Sequence, residues 1–306
     1  MIGQMPTLAN PPLQEGTQLE NYRVLRLLAK GGFSLVYLAH DEGDAPVAIK
    51  EYRIAEDDPV RFSHGMRCFF EEGRALARLS HPNVVRVLNF FRANGTVYLV
   101  MRYERGRSLQ EHVRNRRGAV EEAWVRGTFA ELLNGLREVH SNKLMHLDIK
   151  PGNVYIRNDG TPLLIDFGAA RQTLSGEGIQ LPPTYTPGFA SPEQHTRREL
   201  LGPWSDIYSV GATLYASLAG SVPQAADQRL EDDQLVPARR ACAGKYSAEL
   251  LDIVDWCLRL NHLERPQSVF ALQKALLGEK APGYHGKGTV LHGIKDAVLR
   301  FTGALF

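Results

Sequence analysis

Between Tyr22 and Met101 apolar and polar positions alternate in short runs: YRVLRLL, SLVYLA, PVAIKEY, VVRVLNFF and TVYLVM. A period of two over runs this short predicts five β-strands, and the Asn94-Gly95 step between the last two marks a hairpin. The period lengthens once inside this region, over about 66–79, where Phe69, Phe70, Leu76 and Leu79 fall at helical spacing. After Gly106 the helical period takes over. Ser108 is placed to cap a short helix, and 120–140 reads as a long one with Trp124, Phe129, Leu132, Leu133, Leu136 and Val139 along it. Irregular sequence runs from about 144 to 200, and helices return over 205–219, 248–258 and 268–277. The predicted fold class is α+β: a five-stranded antiparallel N-lobe with one helix, joined near Arg102–Gly106 to a mainly helical C-lobe.

This pattern divides the 306 residues into a flexible, proline-rich leader (1–18), an N-lobe (19–102), a C-lobe (103–278) and a tail (279–306). The tail joins a glycine- and lysine-bearing linker to a short amphipathic segment, in which Val290, Ile294, Val298 and Phe301 share one helical face. Composition is that of a soluble protein, with 43% hydrophobic and 23% charged residues. The formal net charge of +2 gives no field that would favour nucleic acid. Arginine clusters at Arg114, Arg116 and Arg117, at Arg197 and Arg198, and at Arg239 and Arg240 read as solvated helix ends. Cys68, Cys242 and Cys257 are too few and too widely spaced for a disulfide framework or a zinc site, so a reducing, cytoplasmic setting is expected. The first residues lack the pattern of a signal peptide, and no apolar run approaches the length of a membrane span.

Chemistry-bearing residues fall in three places. Leu28-Ala29-Lys30-Gly31-Gly32-Phe33-Ser34-Leu35-Val36 sets a glycine turn between two strands, where backbone N–H groups can approach a phosphate closely; by itself it reads equally well as a tight hairpin. In Val47-Ala48-Ile49-Lys50 a lysine interrupts apolar strand residues and needs a partner, for which the adjacent Glu71 and Glu72 on the predicted helix are candidates. The alternative is a lysine that snorkels to the surface. Third come His146-Leu147-Asp148-Ile149-Lys150-Pro151-Gly152-Asn153 and Asp166-Phe167-Gly168. With Ala190-Ser191-Pro192-Glu193, Asp206-x-x-Ser209-x-Gly211 and Arg265-Pro266 further on, this ordered set resembles the eukaryotic-type protein kinases over residues 20 to about 277.

The resemblance implies a serine/threonine kinase that uses ATP and Mg²⁺, with Mn²⁺ as an alternative, and acts on proteins. It implies Asp148 as the group that orients the acceptor hydroxyl and Lys150 as its partner at the γ-phosphate. Asn153 and Asp166 become the metal ligands, and Lys50 the α/β-phosphate contact pinned by Glu72. Leu28, Ala29, Gly31, Gly32, Val36, Ala48, Met101 and Tyr103 would surround the nucleotide. Phe167, His146, Leu76 and Val87 would stack as a spine, although plain core packing explains these as well. Thr186 would tie the substrate segment to the aspartate, and Glu193 and Arg265 would form a buried structural pair. Thr173, Ser175, Thr184 and Thr186 are candidate phosphosites. The sequence departs from the pattern at Ala29 and Ser34, where the glycine loop has other residues, and at Leu147, where regulated members have arginine. That leucine predicts little dependence on activation-segment phosphorylation. Several strings, among them DFGAARQ and TPGFASPEQ, are similar to a bacterial subfamily that includes regulators of type VI secretion and whose members are often membrane-tethered. A nucleotide-binding scaffold without transfer and a small-molecule kinase are the rival readings. The first is disfavoured by Lys50, Asp148, Asn153 and Asp166 all being present, the second by the Ser-Pro-Glu segment and the Asp206 helix.

Overall fold

The N-terminal half is built on one antiparallel sheet whose strands run β1 (Gln18–Leu19), β2 (Tyr22–Lys30), β3 (Ser34–His40), β4 (Pro46–Tyr52), β5 (Val87–Ala93) and β6 (Thr96–Arg102), in spatial order β1-β2-β3-β4-β6-β5. This computed structural model describes residues 11–32, 34–53, 59–115, 119–167 and 185–278. Five of the six strands are those the alternation predicts. The sixth corrects that count: Gln18 and Leu19 pair with Arg23 and Tyr22, and a two-residue strand is too short to show any period. Residues just before it lie against the sheet, with the Gly16 N–H donating to the Val24 carbonyl (2.8 Å) and the Leu13 N–H to the Tyr37 hydroxyl (3.2 Å). Asn94 and Gly95 turn the β5–β6 hairpin with φ of +51° and +73°, the left-handed pair that a two-residue hairpin turn requires.

Alternation gives the two faces of the sheet separate work. Leu19, Ala39, Val47, Ile49, Phe91, Tyr98 and Val100 form one buried cluster. On the opposite face Lys50 and Tyr52 look toward helix α1 (Pro59–Ala77), where Tyr52 packs on Phe69 with ring centroids 5.4 Å apart. The helix starts earlier than its apolar spacing suggests, at a proline, a residue suited to the first turn because its missing N–H would have no partner there.

Helices α2 (Leu109–Arg114) and α3 (Glu122–Ser141) open the second lobe, followed by α4 (Pro192–Thr196), α5 (Pro203–Ala219), α6 (Ala226–Glu231), α7 (Ala238–Ala241), α8 (Ala248–Cys257) and α9 (Val269–Leu276). Ser108 caps α2 as expected: its hydroxyl accepts the Glu111 N–H while the Glu111 carboxylate accepts the Ser108 N–H, a reciprocal box. A second sheet, β7 (Gly106–Ser108), β8 (Val154–Arg157) and β9 (Pro162–Leu164), was not legible in the sequence because its strands are three or four residues long. It roofs this lobe and faces the N-lobe. Backbone bonds tie it upward: Leu164 N–H donates to the Asn83 carbonyl (2.8 Å) and Val85 N–H to the Leu164 carbonyl (2.9 Å). Main core residues from both lobes, from Phe69 and Leu76 to Leu136, Phe167, Leu214 and Leu272, form one contiguous cluster. Among the described residues no helix is long and apolar enough to cross a membrane. All three cysteines are buried and free. The 279–306 tail, Gly168, Thr173, Ser175 and Thr184 lie outside the described residues.

Candidate active site

The cleft between the lobes collects residues from stretches far apart in the chain, as the 116 positions between Lys50 and Asp166 show. Its ceiling is the half-buried face of β3 and β4. Val36 is paired with Lys50 in register and Leu38 with Ala48, so the predicted Val36 and Ala48 do face the cleft together. The glycine turn closes with a bond from the Gly31 N–H to the Ser34 carbonyl (2.8 Å), and Gly31 and Gly32 are exposed at its tip. Leu28 and Ala29 precede it on β2, at a bulge between Leu27 and Ala29. Met101 is paired in register with Ala48 near the end of β6, and Tyr103 follows in the connection between the lobes, both partly buried.

Lys50 is buried, and its ammonium lies 2.6 Å from Asp166 Oδ1 and 5.5 Å from the centre of the Phe69 ring. Glu72 sits three residues beyond Phe69 on α1 and is itself buried. Residues three apart share a helix face, so the Lys50 side chain runs toward the part of α1 that bears Glu72. The Lys50 ammonium holds the Asp166 carboxyl well below the usual carboxylate range, against the opposing effect of burial. The Asp166 side chain keeps 44% of its surface open to the cleft, so this carboxylate is both charged and accessible.

Below, the loop from His146 to Asn153 is held by a buried carboxylate that the sequence offered only as part of a helix motif. Asp206, at the start of α5, accepts the His146 N–H (2.9 Å), the Leu147 N–H (2.7 Å) and the His140 ring at Nε2 (2.7 Å). Burial alone would raise its pKa; these donors keep it low. The His146 ring is wholly buried against Phe167 (centroids 4.3 Å apart), with Nδ1 accepting the Asp148 N–H (3.3 Å) and Nε2 against the Ile165 carbonyl (3.1 Å). Leu76 and Val87 are buried in the same core. Leu147 and Asp166 both take left-handed φ, +59° and +61°. Such strain costs about 1–3 kcal/mol per residue and persists where the surroundings over-determine it.

The Asp148 carboxylate is the centre of the arrangement. Its Oδ2 accepts from Lys150 Nζ (2.8 Å) and Asn153 Nδ2 (2.9 Å), and its Oδ1 accepts from the Thr186 hydroxyl (2.8 Å). Lys150 Nζ also donates to Thr186 Oγ1 (2.7 Å), which closes a ring of three side chains. The amide nitrogen of Asn153 faces Asp148, which leaves its carbonyl oxygen for another partner. Asn153 and Asp166 are brought together by the Ile165 N–H, which donates to the Asn153 carbonyl (3.0 Å). These two hard oxygen donors suit Mg²⁺ or Mn²⁺. Among the described residues no group of three or more His, Cys, Asp or Glu side chains could hold a metal alone. The donor set therefore fits an ion that completes its shell with phosphate and water.

Tyr155 and Arg157, which hold the connection between the lobes, went unread in the sequence. Tyr155 shares a half-buried face of β8 with Arg157, and its hydroxyl donates to the Glu104 carbonyl (3.4 Å) in the connection between the lobes. Glu104 in turn pairs with Arg157 (3.1 Å). Alternation along a four-residue strand was the one signal for Tyr155, and it was too short to use. The predicted Glu193–Arg265 pair is present and buried: Arg265 donates from both terminal nitrogens to the Glu193 carboxylate (2.8 and 3.0 Å) and stacks over Tyr208.

A sheet with an inward lysine, set over a helical lobe that presents Asp148, Asn153 and Asp166, defines a two-lobed phosphotransferase architecture. The chain belongs to the protein kinase family, whose protein kinase domain matches residues 22–277. Serine/threonine-protein kinase B of Synechocystis is 36% identical over 267 residues, covering 82% of this chain and 46% of its own length. Sperm motility kinase 2B of mouse is 32% identical over 256 residues, covering 80% of this chain and 49% of its own. The chain thus spans about half the length of the curated relatives it matches. Among solved structures, the apo form of PpkA-294 superposes with a TM-score of 0.76 at 33% identity, over 86% of this chain and 99% of that one. The domain is a serine/threonine protein kinase domain of the bacterial, eukaryotic-like type.

Proposed function

We propose that this chain transfers the γ-phosphoryl group of Mg·ATP to serine or threonine hydroxyls of proteins, itself among them. The observation that carries the reading is the closed ring of Asp148, Lys150 and Thr186, with Asn153 on its flank. A carboxylate so held has one task open to it: accepting a hydrogen bond from an incoming hydroxyl and orienting that oxygen at phosphorus. Lys150, already beside Asp148, balances negative charge that redistributes on the transferred group. Lys50 grips the α- and β-phosphates from the ceiling, steadied by Glu72. Val36, Ala48, Met101 and the 102–104 backbone enclose the base, with Leu28, Ala29 and Tyr103 at its edges and the Gly31-Gly32 turn over the phosphates. Asn153 and Asp166 would hold Mg²⁺, which would supply neutralisation of the phosphate charge when bound. Lys150, two residues after the aspartate, and Thr186 favour serine/threonine over tyrosine as acceptor. Thr173, Ser175, Thr184 and Thr186 are the proposed self-phosphorylation sites. A cytoplasmic setting, and a part in the control of type VI secretion inferred from the subfamily resemblance, complete the reading.

Radiolabelled ATP with Mg²⁺ and casein tests it. The wild type is expected to label casein and itself on serine or threonine, and Asp148→Ala and Asp166→Ala to lose more than 99% of the label, about the 10²-fold or greater loss typical of removing such groups. Alanine at Thr173, Ser175 and Thr184 together is expected to leave most casein labelling intact. ATP binding with no transfer to any protein would overturn the proposal.

A further inference from the structure

The peptide unit that leads into Asp148 is held at both ends by side chains, one from a distant helix and one from the same loop. Its carbonyl, that of Leu147, accepts from Gln194 Nε2 (2.9 Å), and its N–H, that of Asp148, donates to His146 Nδ1 (3.3 Å). One residue back, the Leu147 N–H is bound by Asp206 (2.7 Å). A peptide group is planar, so fixing its oxygen and its hydrogen fixes the orientation of the whole unit and with it the direction in which Asp148 leaves the backbone. The constraint has something to resist, since Leu147 sits at φ +59°, a region that residues with a Cβ disfavour.

Gln194 is itself immobilised. Its Oε1 accepts from both the N–H and the hydroxyl of Ser191 (3.0 and 3.2 Å), a capping box at the start of α4. Ser191, Gln194 and Leu147 are all buried. With its oxygen committed to the cap, the amide has one way to turn its nitrogen, toward the catalytic loop. The link is neutral at both ends and joins the segment that carries Thr186 and Glu193 to the loop that carries Asp148. Where arginine at position 147 would couple the two through a phosphate, this chain has a buried leucine whose backbone is coupled through an amide.

We propose that Gln194 is a positioning residue for the reaction: by clamping the Leu147–Asp148 peptide it aims the Asp148 carboxylate, without any need for phosphate on the activation segment. This rests on the reading of Asp148 as the group that orients the acceptor.

Gln194→Glu separates the clamp from the cap, because its carboxylate still accepts from Ser191 but cannot donate to the Leu147 carbonyl. Ser191→Ala removes the capping hydroxyl but keeps the backbone N–H that donates to Gln194 Oε1 (3.0 Å), so it weakens the cap while the amide stays aimed at the Leu147 carbonyl. Steady-state casein phosphorylation is to be measured beside amide hydrogen exchange of the 144–151 segment. Gln194→Glu is expected to lower kcat about tenfold or more, the scale of a slightly misplaced catalytic group, with KM for ATP within about twofold, and to speed exchange in 144–151. Ser191→Ala is expected to keep kcat within about twofold. Equal losses in the two variants, or an unchanged kcat in Gln194→Glu, would overturn the clamp. If Gln194→Glu does not fold, Gln194→Met is read against Ser191→Ala by the same criteria. A wild type that binds ATP but labels nothing overturns the kinase reading alone. The exchange then decides the clamp: faster in 144–151 supports it, unchanged sinks it.

Discussion

His146 shows how one side chain can serve both packing and geometry. Its ring is buried against Phe167, and because Nδ1 accepts the Asp148 N–H, the proton sits on Nε2, facing the Ile165 carbonyl. Burial pushes its pKa below the ordinary value of 6.5. In the unfolded chain the same ring titrates near that value, so the stabilisation from a neutral His146 is complete above about pH 6.5 and erodes as pH falls toward the folded-state pKa. His81 and His195 are shifted the same way by burial, so a comparison variant is needed to isolate the effect. Thermal unfolding of wild type and His146→Phe across about pH 7.5 to 5 should give a shallower decline for the variant. Parallel curves would show that His146 takes up no proton in this range on unfolding. The residues proposed for catalysis were named one by one from the sequence, and the structure brings Lys50 to Asp166 and joins Asp148, Lys150, Asn153 and Thr186. What each touches was not legible. Lys50 lies against Asp166, 116 positions away, and no local pattern records a contact across that separation.

Helix α5 carries the arrangement at the scale of elements. Its residues are buried nearly all round, the mark of a helix packed on every side, and its first turn supplies Asp206 to the catalytic loop. It crosses α8 closely at Gly211, where an added Cβ would come within 2.4 Å of the Cys257 Cβ. The obstruction is a Cβ, which moves only with its backbone, so Gly211→Ala must push the two helices apart. We expect a loss of about 1–3 kcal/mol in urea unfolding, the usual cost of overpacking, and a fall in kcat from displaced Asp206. A variant as stable and active as wild type would show that the crossing relaxes freely. Elements long enough for their period to repeat were visible in the sequence, namely five strands of the main sheet and helices α1, α3, α5, α8 and α9. β1, the β7–β8–β9 sheet and the short helices α4, α6 and α7 were not, because two to six residues give neither a period of two nor one of 3.6 room to show.

Across the whole molecule, the two lobes are joined by backbone bonds from Asn83 and Val85 to Leu164 and by one shared core. The C-lobe is pinned under its substrate segment by Arg265. That side chain is almost wholly buried, binds both oxygens of Glu193, and donates to the carbonyls of Arg259, Trp204 and Leu260. Burial would raise the Glu193 pKa; the guanidinium and the Ser205 hydroxyl bring it down. Arg265→Ala leaves that carboxylate buried without its cation and should cost roughly 3–5 kcal/mol of stability. Chemical denaturation checks this, and a loss under about 1 kcal/mol, the level of an exposed pair, would show that solvent enters the site.

The sequence by itself determined the class of fold, the order of the lobes and the residues proposed here for the chemistry. The fold follows from periodicity, and the proposed site residues from an ordered set of motifs that resembles a known family. Tertiary structure alone decided which groups meet: Lys50 with Asp166, Asp206 with the loop before Asp148, Gln194 with the Leu147 carbonyl, and Tyr155 with the connection between the lobes. The reason is physical. Helix and strand periods are local consequences of backbone geometry, readable within a few turns. Hydrogen bonds in a buried site are made between segments dozens of residues apart, and their geometry exists only once the core has packed around them.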